Sequence, residues 1–161
     1  YKAFYNNGKL KEEGKFNNGE KVGEWRYWYK NGKLYKIIIF DKNDYFLKEL
    51  YKPNGKLIVK DGNGNFVDKQ LIPNFTLKGE IKNGKQDGNW YLINSEHGSK
   101  TCVELFENGK FVEGRNIGID VQFPLYTDFP YTYIDLTKDL IDFSYLQKVI
   151  CTNTFYFNEP T

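Results

Sequence analysis

Few residues of this chain have the types and spacing that chemistry needs. His97 is the only histidine, and Ser95, Ser99 and Cys102 stand near it in sequence. A nucleophile and its base use such residue types. The neighbouring Gly98 marks a turn, so a solvated loop histidine is the plainer reading. Asp61-x-Asn63-x-Asn65 opens like an EF-hand calcium loop, but Phe66 stands where glycine is needed and Ile72 where the bidentate glutamate belongs. Gly62-Asn63-Gly64 has no third glycine and no helix to follow it, which leaves a dinucleotide loop unsupported. Asn74-Phe75-Thr76 is a glycosylation sequon only in a host that glycosylates. No acid/base or nucleophile cluster assembles from one histidine and scattered carboxylates. The expectation is a non-enzymatic protein with no catalytic residue, metal or cofactor.

The two cysteines, Cys102 and Cys151, form no CxxC, so neither a zinc nor a thioredoxin-type motif is suggested. Two readings stay open. In an exported protein they are candidates for a disulfide tying the tail to the last hairpin; otherwise they are separate, half-buried thiols. The chain contains no methionine and begins at Tyr1. A removed signal peptide fits that start, and so does a trimmed fragment; an exported or cell-envelope location is slightly favoured over the cytoplasm. No stretch approaches the roughly 18 apolar residues of a membrane helix. A net charge of +2 is too small to imply nucleic acid.

The elements that would position any site are strands. Asn-Gly occurs seven times, at residues 7–8, 18–19, 31–32, 54–55, 63–64, 83–84 and 108–109. Both residues tolerate the positive φ of a two-residue hairpin turn. Several of the seven stand between runs of Tyr, Phe, Trp, Ile and Val, the strand formers. Strands are expected near 2–6, 9–16, 24–30, 33–40, 45–51, 56–60, 100–106 and 110–113. A longer loop is expected at Asn18–Gly23 and a wide turn at Asp61–Asn65, while residues 67–77 fit the pattern poorly around Pro73. Counting across two-residue turns pairs Tyr5 with Leu10, Tyr29 with Leu34, Trp28 with Tyr35, Trp25 with Ile38, and Phe106 with Phe111. At Lys52–Gly55 the proline adds a residue to the loop, which restores Tyr51 to Leu57.

Residues 1–114 carry 20 Lys/Arg against 15 Asp/Glu, a net of +5, while residues 115–161 carry 3 against 6, a net of −3. Fourteen of the fifteen glycines fall at or before Gly114, which marks a boundary there. The expected organisation is a β-hairpin array at 1–114, irregular at 61–76, and a C-terminal capping segment at 115–161. In that segment Leu136, Leu140, Phe143, Leu146 and Ile150 follow helical steps, so a helix is expected at about 138–149 and a strand at Cys151–Phe157. The fold class is thus mostly β, an elongated antiparallel meander in a single-layer sheet, with a small α+β tail.

Gly14-Lys-Phe-Asn-Asn-Gly19-Glu-Lys-Val-Gly23-Glu-Trp25 recurs as Gly79-Glu-Ile-Lys-Asn-Gly84-Lys-Gln-Asp-Gly88-Asn-Trp90. Tyr5–Leu10 recurs at Tyr29–Leu34 and Tyr51–Leu57. Hairpin repeats of this length bury a face only by stacking on one another. This pattern resembles the MORN repeat, in the bacterial variant form of the YwqK-type antitoxin-like family, over roughly residues 4–60 and 77–114. The resemblance implies a meander of β-hairpins that binds proteins or membranes.

In the strand Glu24–Lys30, Trp25, Tyr27 and Tyr29 alternate with Arg26, Trp28 and Lys30. Aromatics therefore fall on both faces. Either both faces are covered, one of them by the tail, or one is an open aromatic and basic surface. The candidate binding set is Arg26, Trp28, Tyr35, Tyr27 and Tyr91. Gly14, Gly19, Gly23, Trp25, Gly79, Gly84, Gly88 and Trp90 are read as structural residues of the repeat. The expected function is a scaffold for protein–protein interaction at the bacterial cell envelope. The alternatives are a module for cell-wall glycan or phospholipid headgroups, and an antitoxin-like inhibitor of a partner.

Overall fold

A computed structural model describes residues 1–42, 44–72, 74–117, 122–126 and 136. They form an antiparallel β meander. Its strands are β1 (Lys2–Phe4), β2 (Leu10–Asn17), β3 (Glu20–Trp28), β4 (Leu34–Asp41), β5 (Asp44–Tyr51) and β6 (Leu57–Lys60), then β7 (Asn63–Ile72), β8 (Phe75–Lys82), β9 (Lys85–Asn94), β10 (Lys100–Glu107), β11 (Lys110–Ile117) and β12 (Gln122–Tyr126). Hydrogen-bonded neighbours follow chain order throughout. No helix occurs among the described residues, and none there is long and apolar enough to cross a membrane. The helix expected at 138–149, the strand at 151–157 and Cys151 lie outside the described residues.

The chain divides into two compact units. The first comprises Tyr1–Phe66 with Glu80–Lys85, and the second Val67–Gly79 with the chain from Gln86 on. In the first unit, one face of the sheet is apolar. Trp25 stands opposite Ile38, which stands opposite Leu47. One register row further, Lys36 lies between Tyr27 and Leu50, and Leu50 pairs with Val59. Trp25, Ile38, Leu47 and Val59 are wholly buried. The other face is mixed: Glu13, Arg26, Ile37 and Glu49 occupy one cross-strand row, and Glu24, Ile39 and Phe46 another.

The glycine–tryptophan spacing acquires a physical reason here. A Cβ added to Gly14 would land inside the Trp25 ring, and one added to Gly79 inside the Trp90 ring. Each indole lies flat over the bare backbone of the strand before it. Trp25 also donates its ring N–H to Lys15 O at 3.1 Å. Lys21 roofs the indole with its ammonium 4.0 Å from the ring centroid. In the second unit Trp90 stands opposite Glu104 and packs edge-on against Phe106, which in turn pairs with Phe111. Cys102 is buried opposite Leu92.

The turns depart from expectation. Asn18-Gly19, Asn83-Gly84 and Asn108-Gly109 do have positive φ at both residues and close tight two-residue loops. Asn17 faces Glu20 and β3 begins directly at Glu20, so there is no long loop at 18–23. Asp61-Gly62 is equally tight, with Lys60 facing Asn63, in place of a wide turn. Strands β7 and β8 cover most of the stretch that fits the repeat poorly.

The Asn7-Gly8, Asn31-Gly32 and Asn54-Gly55 loops differ from these. Only glycine is left-handed there, and each loop holds three residues. Tyr5 N–H reaches Lys9 O at 2.8 Å, Tyr29 N–H reaches Lys33 O at 2.9 Å, and Lys52 N–H reaches Lys56 O at 2.8 Å. The proline-containing loop was expected to be of this kind, and the other two share its geometry. The reason is the asparagine side chain, whose Oδ1 accepts from the N–H of Lys9, Lys33 or Lys56 two residues on. That bond favours a type I corner before the glycine. The extra loop residue shifts the neighbouring register. Leu10 faces Phe4, not Tyr5; Leu34 faces Trp28, not Tyr29; and Trp28 therefore does not face Tyr35. Trp25–Ile38, Tyr51–Leu57 and Phe106–Phe111 pair as counted.

Candidate functional site

The three bulged loops lie side by side along one edge of the first unit. Each repeats the order Tyr or Lys, one free position, Asn-Gly-Lys. Their side chains bind each loop to the next. Tyr5 donates its hydroxyl to Trp28 O at 2.7 Å, Asn7 its amide to Lys30 O at 3.0 Å, and Lys9 its ammonium to Asn31 O at 2.8 Å. One repeat further, Tyr29 donates to Tyr51 O at 2.7 Å, Asn31 to Pro53 O at 3.0 Å, and Lys33 to Asn54 O at 2.8 Å. The recurring Tyr, Asn and Lys are thus staples between repeats.

The remaining ammonium groups point outward. Lys30, Lys52 and Lys56 make no side-chain hydrogen bond or ion pair among the described residues. Across the loop segments 5–9, 29–33 and 52–56 there are five lysines and no carboxylate. Successive hairpins stand about 10 Å apart, two strand spacings, so positive charge recurs at about that interval. The opposite turns of this unit, at 17–20, 41–44, 60–63 and 82–85, hold four lysines against four acids. Two apolar side chains flank the basic edge: Phe4 is 60% and Leu57 38% exposed. A cleft of about 350 Å³ opens between Phe4, Tyr5, Asn6, Asn7, Lys11 and Lys30.

The five residues expected to bind are placed very differently from one another. Tyr27 and Tyr35 are buried, at 9% and 6% exposure. Trp28 and Tyr91 are half-buried, and Tyr91 lies under the Lys100 ammonium at 4.3 Å. Arg26 is exposed on the mixed face within a chain of charges. It meets Glu24 at 2.6 Å and Glu13 at 4.0 Å, and Lys48 closes on Glu24 at 3.1 Å. The Lys48 hydrogen bond, with Arg26 beside it, holds the Glu24 carboxyl below its usual range. Within the first unit Arg26 and Tyr27 lie on opposite faces of the sheet, and Tyr91 belongs to the second unit. The lysine edge was not singled out by aromatic pattern; its signal in the sequence is the lysine after Asn-Gly in each of these three loops, with no carboxylate within the loop.

Other chemistry-bearing residues are dispersed. His97 is exposed in the β9–β10 turn, 3.7 Å from Glu96. Among the described residues no three His, Cys, Asp or Glu side chains gather as a metal site.

This geometry, strands joined by Tyr-x-Asn-Gly-Lys loops that staple each hairpin to its neighbour, defines a β-hairpin repeat protein. A family described as the MORN repeat variant matches residues 1–18 and 21–42, and over that stretch the chain is similar to MORN repeats. MORN repeats in general belong to scaffolds that bind proteins or membranes. No curated protein and no solved structure matches the chain.

Proposed function

We propose that the chain is a non-enzymatic scaffold that binds an acidic surface of a partner protein along its lysine edge, at the bacterial cell envelope. The observation that carries the reading is the recurrence of lysine without any carboxylate along the three stapled loops. A row of like charges on rigid loops raises the encounter rate with an opposite surface and sets its register. Inhibition of a partner in an antitoxin-like manner is one form this binding takes. Glycan binding needs open aromatic platforms, and the burial of Tyr27 and Tyr35 speaks against it.

A second reading, anionic phospholipid headgroups, is favoured by Phe4 and Leu57, whose exposed apolar side chains flank the lysines. Affinity capture on the immobilised chain at rising salt tests both, with Lys30→Glu/Lys52→Glu/Lys56→Glu as control. A protein retained at low salt and lost with the control supports the proposal. Retention of acidic vesicles alone supports the second reading, and retention of neither overturns both. Fractionation of the source cell tests the envelope location.

A further inference from the structure

The seven Asn-Gly pairs are alike in sequence and unlike in what holds them. Such a pair can close on itself: the glycine nitrogen attacks the asparagine Cγ, and glycine has no Cβ to hinder the approach. Two groups must be loose for this. One is the glycine N–H, which becomes the nucleophile; the other is the asparagine amide, which carries the leaving group. In the three bulged loops both are held. Gly8, Gly32 and Gly55 N–H donate to Tyr5, Tyr29 and Lys52 O at 2.9, 2.8 and 2.8 Å, and each asparagine Oδ1 accepts from the lysine N–H two residues on. Gly84 N–H donates to Gly62 O and Gly109 N–H to Gln86 O, both at 2.8 Å. Asn63 is held at both ends of its amide, by Asp61 O and by Asn83 N–H. Asn18-Gly19 differs. Among the described residues neither the Asn18 amide nor the Gly19 N–H has a hydrogen-bond partner. Both residues are exposed, and the space beside Gly19 is open.

We infer that Asn18 is a self-modification site, deamidated in the folded chain ahead of the asparagines of the other Asn-Gly pairs. Gly19 N bonds to Asn18 Cγ, the Cγ–Nδ2 bond breaks, and the amide nitrogen leaves as ammonia with the proton that Gly19 gives up through solvent. Water then opens the five-membered imide. Attack of water at Cγ gives aspartate; attack at the backbone carbonyl gives isoaspartate, whose main chain runs through the side chain. Ring closure takes Asn18 out of its left-handed conformation, φ +49. At this turn the excursion costs only the turn itself, whereas at the other pairs it also breaks a bond to the surrounding structure. Either product adds a carboxylate to the turn, and isoaspartate lengthens the main chain between Asn17 and Glu20, which face each other across it. The turn lies at the end of the hairpin opposite the lysine edge, so the site does not rest on the binding reading.

The test incubates the full folded chain at physiological temperature and mildly alkaline pH, and follows deamidation at each asparagine by proteolysis and mass spectrometry. Asn7 is the matched control, because Asn6-Asn7-Gly8 and Asn17-Asn18-Gly19 are the same tripeptide. The expected result is conversion of Asn18 at least about fivefold faster than of Asn7 or Asn31, the factor for one ordinary hydrogen bond that must open first. In urea, where the contacts of the turns are gone, Asn18 is expected to lose that lead over Asn7. Isoaspartate among the products marks the imide route, since direct hydrolysis of the amide gives aspartate alone. No conversion of Asn18, equal rates at Asn18 and Asn7 in the folded chain, an undiminished lead in urea, or aspartate as the sole product each overturns the proposal.

Discussion

Gly14 and Gly79 matter for what they lack. Trp25 and Trp90 are fully buried because the strand before each offers no Cβ beneath the ring. Trp25→Ala is expected to cost about 3–5 kcal/mol, the usual range for a buried aromatic. Gly14→Ala is expected to cost a comparable amount although it adds only a methyl, since the indole has nowhere to go; urea denaturation of both variants checks this. A second residue-scale effect is titration. Tyr51 donates its hydroxyl to Glu49 at 2.5 Å, and that bond pushes the phenol pKa up. Its contribution to stability is therefore present at neutral pH and lost as pH rises through the raised folded value. Glu49→Gln is expected to bring the Tyr51 titration down toward the ordinary value, visible by ultraviolet absorbance. On the acid side, the Lys85 hydrogen bond and the Tyr45 N–H hold Asp44 low. That contribution exists above the unfolded carboxyl value and fades as pH falls through the folded one. Asp44→Asn should flatten the loss of stability in that acidic window.

Hairpins, rather than single residues, carry the repeat-to-repeat cohesion. Tyr29→Phe removes one staple and is expected to cost about 1 kcal/mol, the net worth of one hydrogen bond. The β8–β9 turn forms a different lock within the first unit. Gly84 N–H donates to Gly62 O at 2.8 Å and Gly84 O accepts from Leu47 N–H at 3.3 Å, while Gly62 N–H donates to Lys48 O at 3.0 Å. The turn so pinned also brings the Lys85 ammonium over the Tyr45 ring and onto Asp44. Gly84 has φ +72 and a Cβ there would overlap Phe46. Gly84→Ala combines left-handed strain with overpacking and is expected to cost about 2–4 kcal/mol. Gly98→Ala, at φ +68 with open space around it, is expected to cost only about 1 kcal/mol. The difference between the two melting temperatures measures the pin.

At the scale of the molecule, a net charge of +2 conceals an uneven distribution. One edge of the first unit has five lysines and no acid, and the opposite edge is balanced. Lys30→Gln/Lys52→Gln/Lys56→Gln should leave the melting temperature within a degree or so, because these ammonium groups hold nothing in place. It should weaken partner binding and flatten its salt dependence, since surface charges are screened over about 10 Å at 0.1 M salt. Calorimetry and a binding titration at two ionic strengths distinguish the effects. The sequence by itself determined the alternation of strands and turns, the repeat spacing of Tyr-x-Asn-Gly-Lys and the glycine–tryptophan pairs. These are local: strand period and turn chemistry act within a few residues. The bulge that puts Trp28 opposite Leu34 is local too, held by the asparagine Oδ1 and the N–H two residues on, but a count of turn residues does not reveal it. Tertiary structure decided that Tyr27 and Tyr35 turn inward, and that Tyr5 and Lys9 spend their donors on the next loop. The last outcome depends on carbonyls some 22 or 23 residues away, whose positions exist only once one hairpin lies against another.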